Sequence, residues 1–235
     1  MIGPERDITG AFLLVYAGLF PLINPLGAAP VFLSLTRDMG VTDRNKLALA
    51  VAVNSFILLL GAMLFGSYVL QFFGITISAV RVAGGALVAF MGWNLLNGSD
   101  STNTDSPEIG PSRTVNDGFY PLTLPLTVGP GSISVALTLG AHHASAANKS
   151  HFLLVLCSAF LGLVALALTI YVTYRFASRL VRWLGNSGVN VLVRLSAFIL
   201  VCIGVQIAWG GLAELIAGLH EASLPNFQEL ARAAL

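Results

Sequence analysis

Charge is what this sequence most lacks. Lysine, arginine, aspartate and glutamate make up 10% of its 235 residues, against about a quarter in a soluble domain. So few charges could not solvate the surface of a water-soluble fold. The formal net charge of +1 leaves no basic footprint for nucleic acid. Cysteine is scarce as well. Cys157 and Cys202 stand apart in apolar stretches, without the paired spacing of a zinc or redox site, and read as small packing residues. There is no HExxH, no paired intramembrane aspartate and no metal cluster. Ser132 has no nearby base: His142 is ten residues on, about 15 Å along a helix. No enzymatic activity, cofactor or metal is therefore expected.

What is present is apolar. Hydrophobic residues make up 56% of the chain, and the mean hydropathy is +0.82. No Asp, Glu, Lys or Arg appears from Ile8 to Thr36, Leu47 to Val80, Val82 to Ser99, Gly118 to Asn148, Ser150 to Tyr174 or Leu195 to Ala213. A helix needs about 20 residues to cross the hydrocarbon core. With the long second run split at Phe72-Phe73-Gly74, the sequence predicts an all-α membrane protein of six spans: 9–34, 47–70, 77–97, 118–140, 152–175 and 192–218. The first span is not expected to be a cleaved leader: its start carries Glu5 and Asp7, its apolar run is too long, and it recurs later in the chain. Arg37 to Lys46 reads as a charged loop, and Arg175, Arg179 and Arg182 as the start of another. Loops 1–2, 3–4 and 5–6 carry more Lys and Arg than the opposite face, which predicts that both termini are non-cytoplasmic.

The recurrence is a repeat. Phe20-Pro21-Leu22-Ile23-Asn24-Pro25-Leu26-Gly27-Ala28-Ala29-Pro30 is echoed by Tyr120-Pro121-Leu122-Thr123-Leu124-Pro125-Leu126-Thr127-Val128-Gly129-Pro130. Three prolines match at one offset, from Pro21 to Pro121, Pro25 to Pro125 and Pro30 to Pro130. Arg81-Val82-Ala83 and Arg194-Leu195-Ser196 give a weaker echo. The expected organisation is a three-helix unit over 1–97, a polar linker over 98–116, a second unit over 117–220 and a short tail over 221–235. An odd-span unit in tandem enters from the opposite side, so a 3+3 inverted-topology repeat is expected.

Proline removes a helix donor and clashes with the carbonyl four residues back. Helices 1 and 4 are therefore expected to be broken, by Pro21, Pro25 and Pro30 in one and Pro121, Pro125 and Pro130 in the other, near Asn24–Gly27 and Val128–Gly131. Backbone freed in this way must face protein, water or a ligand. Restarted half-helices favour an anion at their first amides, and freed carbonyls favour a cation. A bend thus suits both halves of an amino-acid zwitterion. Asn24, Pro25, Gly27, Gly129, Pro130, Gly131 and Ser132 are the candidate binding residues, expected to line a small polar cavity for a solute such as glycine, alanine or serine. Asn54, Gln206 and Ser134 are weaker candidates. Arg81 and Arg194 read as snorkelling residues, or as gating ones. Asp117 and Glu214 sit near span ends, so no mid-span carboxylate is available for coupling. His142 and His143 read as solvated. Bent helices with exposed carbonyls would equally serve an ion channel, or a membrane protein without transport. Gly84-Gly85 with Ala83 and Ala86 reads as a smooth face for close helix packing.

Four stretches carry a resemblance over nearly the whole chain: Pro21 to Gly27; Gly74-Ile75-Thr76-Ile77 leading to Arg81-Val82-Ala83-Gly84-Gly85; Pro121 to Ser132; and Gly204-Val205-Gln206. In these the chain resembles the MarC family of inner-membrane proteins, which includes neutral amino-acid transporters of the archaeal SnatA type. The resemblance implies six spans, the inner membrane and kinship with LysE-type exporters. It also implies a secondary transporter of a small neutral solute, with a proton or sodium as the coupling ion.

Overall fold

The computed structural model describes residues 4–97, 118–143 and 149–223. The expected linker over 98–116, with Asp117, and most of the tail lie outside the described residues, as do the side chains of His142 and His143. Seven α-helices are described: α1 (Pro4–Ile23), α2 (Pro25–Leu35), α3 (Val41–Phe72), α4 (Ile77–Asn97), α5 (Pro130–His143), α6 (Lys149–Arg175) and α7 (Ala177–Ser223). Between α4 and α5 lies an irregular helical segment of wide turns, Phe119–Thr127. No strand occurs among the described residues.

Each long helix buries one stripe. On α3 the buried residues Ala48, Ala52, Ser55, Leu59, Met63, Gly66 and Leu70 recur every three or four positions, the period of one helix face. The other face stays apolar and open, with Ile57 59% and Phe65 64% exposed. Such a surface is stable against lipid and not against water. By length and hydropathy four helices among the described residues can cross a bilayer, within α3, α4, α6 and α7, and the pair α1–α2, bent by 43°, makes a fifth. The segment 119–127 with α5 falls short of that test, so the expected six spans are matched in part.

Two loop expectations change. The charged stretch after Arg175 is helical, and Gly185, with φ 65° and ψ 175°, kinks the chain between that short helical run and the long apolar part of α7. Helix α3 begins at Val41 rather than at 47, and puts Asp43 in its first turn, where a negative charge suits the helix dipole. Arg44 reaches back to accept no bond but to donate two, to the carbonyls of Thr36 at 2.8 Å and Met39 at 3.3 Å, which close the end of α2.

Helices α4 and α7 pack through glycine. A Cβ on Gly85 would lie 2.6 Å from the Gly204 carbonyl, and one on Gly204 2.7 Å from that of Gly85. Seven residues further along each helix the pattern recurs. Gly92 abuts the Ala197 carbonyl and the Val201 amide, while Gly211 abuts the Ser78 carbonyl and the Val82 amide. These backbone contacts of one helix are matched on the other 119 residues later: 204 follows 85, 211 follows 92, 197 follows 78 and 201 follows 82. The Arg81–Arg194 echo does not fit this offset.

Candidate functional site

The chain breaks where proline dictates. Asn24 has φ 46° and ψ 56°, the left-handed region that asparagine tolerates better than most residues. Pro25 follows as the first residue of α2, a position where its missing donor costs nothing. The Asn24 Oδ1 accepts from the Gly27 amide at 3.1 Å, which caps the new helix. In the second copy Tyr120 and Leu124 are extended, each just before a proline, as proline imposes on its predecessor. Val128 is extended too, and Pro130 opens α5. Pro21 and Pro30 were expected to break helices and do not: they lie inside α1 and α2. Pro21 sits in the last turn of α1, where little helix follows it. Within Phe119–Thr127, Pro125 and Pro121 share their stretch with threonines that repair the backbone. Thr123 donates to the Gly118 carbonyl at 2.6 Å and Thr127 to that of Leu122 at 2.7 Å, a common remedy for disrupted membrane helices.

The two bends share one cavity of about 460 Å³. Asn24, Gly27, Ala28 and Val31 form one wall; Leu126, Thr127, Gly129, Gly131 and Ser132 form another. Val88, Met91 and Asn94 of α4 and Val193 and Leu200 of α7 complete it. Among the described residues, none that lines it carries a charge. Pro25 and Pro130 are absent from the wall. The volume lies within the roughly 300–1,000 Å³ usual for small-molecule pockets. It is larger and more apolar than the small polar cavity expected from the glycines, because α4 and α7 supply Val, Met and Leu side chains that the proline motifs do not reveal.

The hydroxyls in this wall are already engaged. Ser132 Oγ donates to the Gly129 carbonyl at 2.8 Å. Thr127 Oγ1 also meets the Tyr174 hydroxyl at 2.8 Å, and Tyr174 stacks on Phe32 with ring centroids 4.4 Å apart. This buried link between α2, α6 and the second bend was missed. Its sequence signal is Tyr174 itself, near the end of the span over 152–175, since a buried Tyr hydroxyl usually finds a partner.

A second cavity, of about 440 Å³, is lined by Ala17, Gly18 and Pro21 of α1, Arg81 of α4, Val135, Thr138 and Leu139 of α5, and Ile203, Gln206 and Gly210 of α7. Arg81 forms an ion pair with Glu214, whose other carboxylate oxygen accepts from Ser78 Oγ at 2.8 Å. Arg194 is exposed, and Asn54 lies in neither cavity wall. Ser134 donates to the Val80 carbonyl at 2.9 Å and so joins α5 to α4.

Substitution at Asn24 separates its two roles. Asn24→Gly keeps the left-handed turn and should lower stability by only a few tenths of a kcal/mol. Asn24→Ala loses the cap and strains the turn, at a combined cost of about 2–3 kcal/mol. Thermal unfolding of the two variants in detergent should show that order.

The MarC family model, described as "MarC family integral membrane protein", matches residues 9–216. Relatives named "inner membrane protein MarC" from Salmonella arizonae and Citrobacter koseri are each 31% identical over 220 and 225 residues, covering 91% of this chain and 99% of theirs. One from Escherichia coli O1:K1 / APEC is 30% identical with the same coverage. No solved structure matches the chain. Apolar helices that turn lipid-ready faces outward, the broken proline motifs and a match over most of the sequence agree: the chain belongs to the MarC family of integral membrane proteins and is a multi-pass protein of the inner membrane.

Proposed function

We propose that this protein is a secondary transporter of a small neutral solute, best fitted by a neutral amino acid with a short apolar side chain. The observation that carries the reading is the uncharged cavity into which both broken helices open. Its wall holds Gly131 and Ser132 in the first turn of α5, whose amides suit a carboxylate. The apolar remainder suits an aliphatic side chain, so valine or alanine fits this volume better than glycine alone.

The same reading treats the chain as six spans in a 3+3 inverted repeat, with α1–α2 and the 119–143 stretch as equivalent broken spans. The matched glycine contacts of α4 and α7 support it, because a two-fold axis between equivalent helices generates such reciprocal pairs. Opposed repeats around a midplane site are the usual frame for alternating access. Both termini are assigned to the non-cytoplasmic side on the Lys/Arg bias.

Counterflow in proteoliposomes tests the function. Vesicles loaded with unlabelled L-alanine should accumulate labelled L-alanine transiently and saturably. Equilibration without overshoot would indicate a channel, and no flux for any neutral amino acid would reject transport. Imposed sodium and proton gradients in separate arms identify the coupling ion.

A further inference from the structure

The two cavities are chemically unlike. Among the described residues, none that lines the first carries a charge, and Arg81 is the one that does in the second. They are also displaced along the helices. Arg81 and Val88 are seven residues apart on α4, about 10 Å at the helical rise. Between them Gly84 abuts Ser134 and Gly131 abuts Val88, so the α4–α5 contact lies between the two spaces.

We propose that the second cavity is a docking station for the carboxylate of a small zwitterionic solute, which takes the place of Glu214 on Arg81. This rests on the transporter reading above. The ion pair is asymmetric: the Arg81 side chain is 19% exposed and that of Glu214 48%. The cation is thus held at the cavity wall, while its carboxylate partner approaches from the open side. A half-exposed carboxylate contributes little net stabilisation, and a guanidinium has five donors in a planar fork that matches any carboxylate. An incoming carboxylate therefore meets a cation already shaped for it. Acceptors for an ammonium group lie across the cavity. Ala17 is the residue whose carbonyl loses its helical partner to Pro21, and both line the space. Thr138 donates its hydroxyl proton to the Ser134 carbonyl at 3.0 Å and keeps lone pairs to accept.

The test uses the full chain in lipid nanodiscs with two probes, propionate and L-alaninamide, which carry one half of the zwitterion each. Glu214→Gln should bind propionate about tenfold more tightly than the wild type and L-alaninamide no better. Arg81→Gln should lose propionate binding, and Arg81→Lys should restore part of it. A gain in affinity cannot come from a misfolded variant. Unchanged or weakened propionate binding in Glu214→Gln would overturn the station and make the pair a strut between α4 and α7. Wild-type counterflow of L-alanine is measured alongside. If counterflow is present and Glu214→Gln gives no gain, only the station fails. If counterflow is absent and the gain appears, only the transporter reading fails.

Discussion

Gly129→Val should abolish L-alanine binding by the purified protein, while Gly129→Ala should bind it within about twofold of the wild type, a difference below 0.5 kcal/mol. A Cβ at Gly129 would find Met91 Cε and Sδ at 3.6 Å and the Pro125 carbonyl at 3.7 Å, ordinary contact distances. Its φ is not positive, so a side chain is allowed there. Alanine fits, and the two further methyls of valine have only the cavity to enter. The fold should survive, since no neighbour must move to admit the Cβ. Gly131→Val is a different experiment. Its Cβ would collide with the Val88 side chain and come within 3.3 Å of the Gly84 carbonyl. It should therefore cost about 1–3 kcal/mol of stability through overpacking as well as lose binding. Binding isotherms and thermal unfolding of the three variants distinguish filling the cavity from prising α4 away from α5.

Gly204→Leu should have the largest effect on folding. The Gly204 Cβ position is already occupied by the Ala89 backbone, with the Gly85 carbonyl 2.7 Å away. Backbone cannot rotate aside as a side chain does, so α4 and α7 must separate along their length. The loss should exceed the roughly 1–3 kcal/mol usual for an overpacked side-chain site, and should appear as low yield or aggregation in mild detergent. By the reciprocity of the contacts, Gly85→Leu should behave alike. Gly61→Leu is the control, since a Cβ there meets nothing within 4 Å.

The sequence made the breaks legible because a proline constrains its own position and that of its predecessor, with no help from tertiary structure. Tyr120 and Leu124 bear this out, both extended and each just before a proline. Whether a proline interrupts a helix depends on its place in it: Pro21 stands in the last turn of α1, and Pro30 lies inside α2 without ending it. The glycine face around Gly85 was also legible, as a run of small residues on one helix. Its partner was not, because nothing local marks Gly204 and Gly211 as its mates. The spacing of the echoes grows from 100 residues at the prolines to 119 at the glycines, and the two arginines, 113 apart, match neither. The cavity's apolar side was hidden because Val88, Met91, Val193 and Leu200 look like any lipid-facing residues until packing turns them inward.

Solute protection of a single cysteine tests the cavity between the bends most directly. In a background with Cys157→Ala and Cys202→Ala, both exposed and outside the cavity wall, Val31→Cys places a thiol in that wall. Gln71→Cys, at the exposed end of α3, is the control. L-alanine or L-valine should slow methanethiosulfonate labelling of Val31→Cys at concentrations that match their binding, and leave Gln71→Cys unaffected. Unchanged labelling of Val31→Cys under saturating solute, in protein that binds it, would place the site elsewhere and leave the proline clusters as hinges.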